Sequence, residues 1–295
     1  MKRVAANAGL WVLALTAGSC AGPAVGGGGP SRGIILTTFQ PLYSFASNVA
    51  EGSPGLEVVN LAPRHLGPHE FNLEDPAEGA RCRELVRRAV AVITLRSLPV
   101  APAFDRIYPW CRKVNIRIVE IDPAIRWDPS EPKLALLEDP EDSAAARAVA
   151  GVEVSNPNPH VWLSLSHALK LVEGIARDFS RLDPDHAALY RANADRYEKS
   201  LRLLKAQAER RLAGVDRLAV VSLTEGFPYL TSDLGIQVVD YLLAPKDAAE
   251  ITRRVKVSGA RVVLAEEAPE AAVARAVEAG GGRLVILTTL EEGWG

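Results

Sequence analysis

Short apolar, β-branched runs alternate with amphipathic segments along most of this chain, and that alternation leaves room for few folds. Runs at 34–38, 56–61, 90–95 and 116–121 read as strands, with helices expected over 41–50, 76–89 and 103–112. Strands that are apolar throughout, each followed by a helix, predict a parallel sheet covered on both faces. A purely helical stretch then interrupts the pattern. Residues 161–182 carry Leu165, Leu169, Val172, Ile175, Ala176 and Phe179 on one face, and Asp183-Pro184 starts a second helix reaching about 212. Alternation resumes with strands at 218–223, 237–242, 261–266 and 284–288. The expected fold is α/β: two lobes, 33–182 and 214–295, each a small parallel sheet flanked by helices, joined by a long rigid helix over 183–213.

In open α/β sheets, ligands bind beyond the carboxyl ends of the strands. The candidate site residues fall at those points, histidines and carboxylates among them, although a neutral threonine hydroxyl is a poor ligand for Zn²⁺ or Mn²⁺. His69 follows the second strand within Pro68-His69-Glu70-Phe71. His160 lies in Asn156-Pro-Asn-Pro-His-Val-Trp-Leu-Ser164, a proline-stiffened approach to the long helical stretch. Thr224-Glu225 follow the fifth strand, Glu266-Glu267 end the seventh, and Thr288 ends the eighth. Histidine is the commonest metal ligand, and two imidazoles with carboxylate oxygens suit Zn²⁺ or Mn²⁺.

Pro-His-Glu-Phe at 68–71 followed by Asn-Pro-His-Val-Trp-Leu at 158–163 resembles the ordered motifs of the zinc/manganese solute-binding proteins of ABC transporters. That family's motifs are Pro-His-[Asp/Glu]-[Tyr/Phe] and Asp-Pro-His-[Val/Ala]-Trp-Leu. The similarity runs from about Thr37 to Leu290 and includes Thr-Thr-Phe-Gln-Pro-Leu-Tyr-Ser-Phe near the start. It implies capture of zinc, else manganese, outside the cytoplasm for delivery to a membrane permease, by a monomer that makes and breaks no bond. His69 and His160 would be ligands. An ungapped comparison puts Thr224 and Thr288 where the family carries its remaining two ligands. Three readings stay open there: Glu225 enters the site by a local backbone shift, Glu266 or Glu267 reaches inward, or the site is degenerate. The last would make the chain a metal-blind, surface-anchored scaffold or adhesin. The family also continues through a further helix after the last strand. The sequence ending at Gly295 is therefore expected to lack one.

Met1-Lys-Arg and the apolar run 4–18 read as a signal peptide, too short to span a bilayer comfortably. Ala17-Gly-Ser-Cys20 resembles a lipobox, with Cys20 the candidate lipidation site, and 21–32 reads as a Gly/Pro/Ser tether. Export would place Cys82 and Cys111 in an oxidising compartment, where a disulfide and two free buried thiols are both open. A net charge of −2 gives no basis for nucleic-acid or membrane-surface binding. His-Glu-x-x-His spacing, a Gly-x-Ser-x-Gly elbow and a phosphate-cradling glycine loop are all missing, so no enzyme class is favoured. His65, His167 and His186 read as surface residues.

Overall fold

A computed structural model of the chain describes residues 32–62 except 39, 76–96, 107–124, 134–137 and 157–291 except 244 and 246. The first half opens with strand β1 (Gly33–Thr37), helix α1 (Gln40–Val49) and β2 (Leu56–Asn60). It continues with α2 (Pro76–Arg88), β3 (Ala89–Ile93), α3 (Ile107–Val114) and β4 (Val119–Ile121). All pairings are parallel, in the order β2-β1-β3-β4. β1 shows why the sheet is buried on both faces. Ile34 and Leu36 point into one apolar cluster with Cys82, Val86 and Ile107. Ile35, between them, points into another with Leu42 and Phe45. Side chains alternate across a strand, so a continuous apolar run needs a covering layer on each side.

The helical stretch departs from one continuous helix at its start. Val161–Leu163 form a single 3₁₀ turn, and α4 (Leu165–Leu182) begins only after Ser164, whose side chain accepts the His167 N–H at 3.1 Å. That cap satisfies one of the donors a helix start leaves unpaired. A second 3₁₀ turn at Pro184–His186 leads into α5 (Ala187–Leu212), which packs along α4.

The second half repeats the first topologically. β5 (Ala219–Ser222), α6 (Pro228–Asp233), β6 (Gln237–Tyr241), α7 (Ala248–Ser258), β7 (Val262–Ala265), α8 (Ala271–Ala279) and β8 (Arg283–Ile286) follow in turn. They form a second parallel sheet ordered β6-β5-β7-β8. Val221 and Val263 face α7 and α8, while Val220 and Leu264 join the same cluster as Ile35 and α4. The strand expected over 116–121 is shortened to Val119–Ile121. The Asn115 side chain donates to Val86 O and Ala89 O and accepts Arg117 N–H, which turns the backbone there. No helix among the described residues is long and apolar enough to cross a membrane.

In both sheets the first strand has the second on one side and the third on the other. The order in which strands are added to the sheet reverses between β1 and β3, and again between β5 and β7. Those reversals are the crevices where α/β sheets take ligands.

Candidate metal centre

His160 reaches its position through a short series of local constraints. Pro159 precedes it, and Val161 N–H turns back to Pro159 O at 2.7 Å. The 3₁₀ turn closes with Leu163 N–H on His160 O at 3.1 Å. Asn158, fully buried, accepts the His160 backbone N–H on Oδ1 at 3.1 Å, and the same oxygen lies 3.0 Å from His160 Nδ1. Trp162 stacks obliquely on the imidazole, ring centroids 5.4 Å apart. The ring is thus fixed on one edge and one face.

Its free edge meets a carboxylate that the sequence comparison did not single out. His160 Nε2 lies 3.2 Å from Glu291 Oε1, with both side chains largely buried. Glu291 is aimed there by Leu290, the only non-glycine with positive φ among the described residues, at 64°. A branched aliphatic residue in the left-handed region costs on the order of 1–3 kcal/mol and persists where its surroundings over-determine it. Here Thr288 Oγ1 accepts the Leu290 N–H at 3.1 Å, and the Glu291 carbonyl accepts Gln40 N–H at the start of α1.

Three hydrogen bonds join the halves of the chain around this pair. Asn158 Nδ2 donates to Glu225 O at 2.9 Å, Trp162 Nε1 donates to Thr289 O at 2.8 Å, and Gln40 N–H reaches Glu291 O at 3.4 Å. Beside them, at the crevice between β5 and β7, Glu266 accepts Thr289 Oγ1 at 2.5 Å and Thr224 Oγ1 at 3.4 Å. Gly226 underlies this group. A Cβ there would come within 2.8 Å of Thr289 Cγ2, so only glycine lets the 224–226 turn approach.

The expected residues are therefore distributed as follows. His160 sits at the centre of the interface. Glu225 contributes its backbone carbonyl to Asn158 and leaves its side chain half-buried. Glu266 and Thr224 pair with each other, and Thr288 serves the Leu290 turn rather than the imidazole. Glu291, three residues later, is the carboxylate that meets His160; its signal was the acidic pair at 291–292, a short way beyond the last strand, which an ungapped comparison passes over. His69 and His65 lie outside the described residues, as does Cys20. His167 is buried on α4 against Tyr229, not on the surface, and burial, then nearby Lys170, push its pKa down. His186 pairs with Asp183 at 2.9 Å. The disulfide is not formed: Cys82 and Cys111 are free thiols, both buried between α2, α3 and the sheet. Among the described residues no three His, Cys, Asp or Glu side chains converge as a complete metal site. What they offer is a nitrogen–oxygen pair.

Comparison with known proteins adds the context. A family profile described as zinc-uptake complex component A, periplasmic (ZnuA), matches residues 35–293. The zinc-binding lipoprotein AdcA of Streptococcus pneumoniae serotype 4 is 30% identical over 268 residues, covering 87% of this chain and 50% of that protein. The manganese-binding lipoprotein MntA of Halalkalibacterium halodurans is 25% identical over 206 residues, covering 70% and 58%. The chain thus spans about half the length of these sequence relatives. Among solved structures, the Zn(II)-bound ZnuA-like domain of Streptococcus pneumoniae AdcA superposes with a TM-score of 0.66 at 23% identity, covering 89% of each chain.

Proposed function

The chain belongs to the ZnuA family of metal-binding solute-binding proteins, and from that premise we propose that it captures a divalent transition metal as cargo outside the cytoplasm and passes it to an ABC permease. Zinc is the first candidate and manganese the second, in keeping with the named relatives. The observation that supports this most directly is the His160–Glu291 pair. Donors about 2.0–2.2 Å from one metal, at an angle of about 100°, stand roughly 3.2 Å apart. His160 Nε2 and Glu291 Oε1 are separated by 3.2 Å. His69 supplies the second imidazole on this reading, and Glu225 or Glu266, at the ends of β5 and β7, a further carboxylate. An imidazole–carboxylate set suits borderline ions. Cys20 as a lipid anchor and a monomeric state complete the proposal.

Calorimetric titration of the full chain with Zn²⁺ and Mn²⁺, beside His160→Ala and Glu291→Gln, tests it. The expected result is one tight site, weakened at least tenfold in each variant. Unchanged binding in both variants refutes the site. No binding in the parent protein, with its circular dichroism intact, favours the metal-blind scaffold instead.

A further inference from the structure

Asn158 stands where the family motif carries aspartate, and its amide is fixed at both ends by groups whose roles cannot change. Oδ1 faces the backbone N–H of His160, which can only donate. Nδ2 faces the backbone carbonyl of Glu225, which can only accept. Rotating the amide by 180° would set donor against donor and acceptor against acceptor inside a fully buried residue, so one orientation is left. Its own N–H donates to Leu137 O at 2.8 Å, so the residue has no freedom to shift.

This orientation sets what the amide asks of the imidazole. Oδ1 lies 3.0 Å from His160 Nδ1, and an amide oxygen only accepts, so this contact is a hydrogen bond only when Nδ1 carries the proton, while Glu291 Oε1, 3.2 Å from Nε2, draws the proton to the other nitrogen. With the proton on Nδ1, Nε2 turns a lone pair toward a carboxylate oxygen 3.2 Å away. Two acceptors that close repel unless a cation bridges them, and a metal about 2.0–2.2 Å from each lies off the line that joins them.

We infer that Asn158 is the positioning residue of this centre: its doubly anchored amide holds the His160 proton on Nδ1, presents Nε2 for coordination, and ties that choice to the 224–226 turn of the second half. Aspartate could hold the same proton but could not donate to Glu225 O. The neutral amide also backs the ring with less negative charge, so the nitrogen it presents is a softer-holding donor than a carboxylate-backed one. The inference rests on the metal-cargo reading for its purpose, though not for its test.

The test uses the full chain with its five histidines labelled at the ring nitrogens. The sample is chelator-treated and held about two pH units above the usual imidazole value. Ring ¹⁵N spectra, with His160 assigned through His160→Ala, report which nitrogen is protonated. The parent protein should show Nδ1 protonated. Asn158→Ala should move the proton wholly or partly to Nε2 and lower Zn²⁺ affinity about 10–100-fold. Asn158→Asp should keep the Nδ1 proton and lose less affinity than the alanine variant. An Nε2 proton in the parent, or Asn158→Ala with the parent's tautomer, overturns the inference. Equal affinity loss in both variants also overturns it, because the amide would then serve only the tie to Glu225. If the parent binds no zinc, the cargo reading fails and the tautomer alone still decides the role of Asn158.

Discussion

Asp233 offers the sharpest test of how the two halves are held. Its carboxylate accepts Ser166 Oγ at 2.6 Å, Ser166 N–H at 3.2 Å and Lys205 Nζ at 2.9 Å, so α4, α5 and α6 meet on one side chain. The Asp233 side chain is 9% exposed and that of Lys205 26%. A surface pair would contribute about 0–1 kcal/mol, whereas removing one member of a buried pair costs about 3–5 kcal/mol. Lys205 keeps partial access to water, so Asp233→Ala should cost about 3 kcal/mol by urea unfolding. In a chain of this size that is roughly 6–12 °C of melting temperature. Part of the cost is an ammonium left with Ser166 Oγ at 2.8 Å and Glu209 Oε1 at 4.0 Å as its remaining partners. Asp233→Ala/Lys205→Met should therefore recover about half of it. The sign with pH follows from the carboxyl. Burial raises its pKa, but the Ser166 hydroxyl, Lys205 and the Ser166 N–H outweigh burial and leave it below the ordinary carboxylate range. A depressed carboxyl stabilises fully above its unfolded value of about 4, and that stability is lost as pH falls through the folded value. The gap between parent and Asp233→Ala should narrow accordingly in acid. A cost under about 1 kcal/mol, or a double variant no more stable than Asp233→Ala, refutes the reasoning.

Two further outcomes follow from packing. A Cβ on Gly174 of α4 would lie 2.7 Å from Pro123 O and 3.0 Å from Pro123 Cα, both backbone atoms that cannot swing aside. Gly174→Ala gains about 1 kcal/mol of helix propensity but loses about 1–3 kcal/mol to overpacking, so the urea midpoint should fall; a rise would refute the close approach. Burial, with Cys82 adjacent, pushes the Cys111 pKa up to about 12, and burial raises that of Cys82 as well. Reduced native protein at pH near 8 should leave both thiols untouched by a disulfide reagent and release them on denaturation. Reaction of either in the native state would show that the α2–α3 cluster opens.

The fold was legible because strands such as Ile34–Leu36 and Val262–Leu264 are apolar on both faces, a pattern that only a covered parallel sheet satisfies. His160 was legible because two prolines and a following helix mark a stiff, exposed-backbone approach that alternation alone does not explain. Glu291 was not. Its placement depends on Leu290 adopting a left-handed conformation, which no propensity of leucine suggests and which arises from Thr288 and Gln40 gripping the turn. The disulfide was left open by spacing. The structure has the two thiols buried in one cluster without a bond. The restart of the helix at Leu165 depended on Ser164 acting as a cap, a role that composition shows only once the 3₁₀ turn before it is known.

The apolar cluster beneath α4 and α5 belongs to neither half alone. Ile35, Leu42 and Phe45 from the first sheet and its helix share it with Val220, Phe227, Tyr229 and Leu264 from the second. Melting one sheet would uncover the other's inner face, and each fully buried Leu or Phe so exposed forfeits about 1.5–3 kcal/mol. The halves therefore lack separate transition temperatures: calorimetric and van't Hoff enthalpies of residues 32–295 should coincide, as they do for one cooperative unit. A substitution at the far edge of either sheet is then felt at His160 as a change in the stability of the whole.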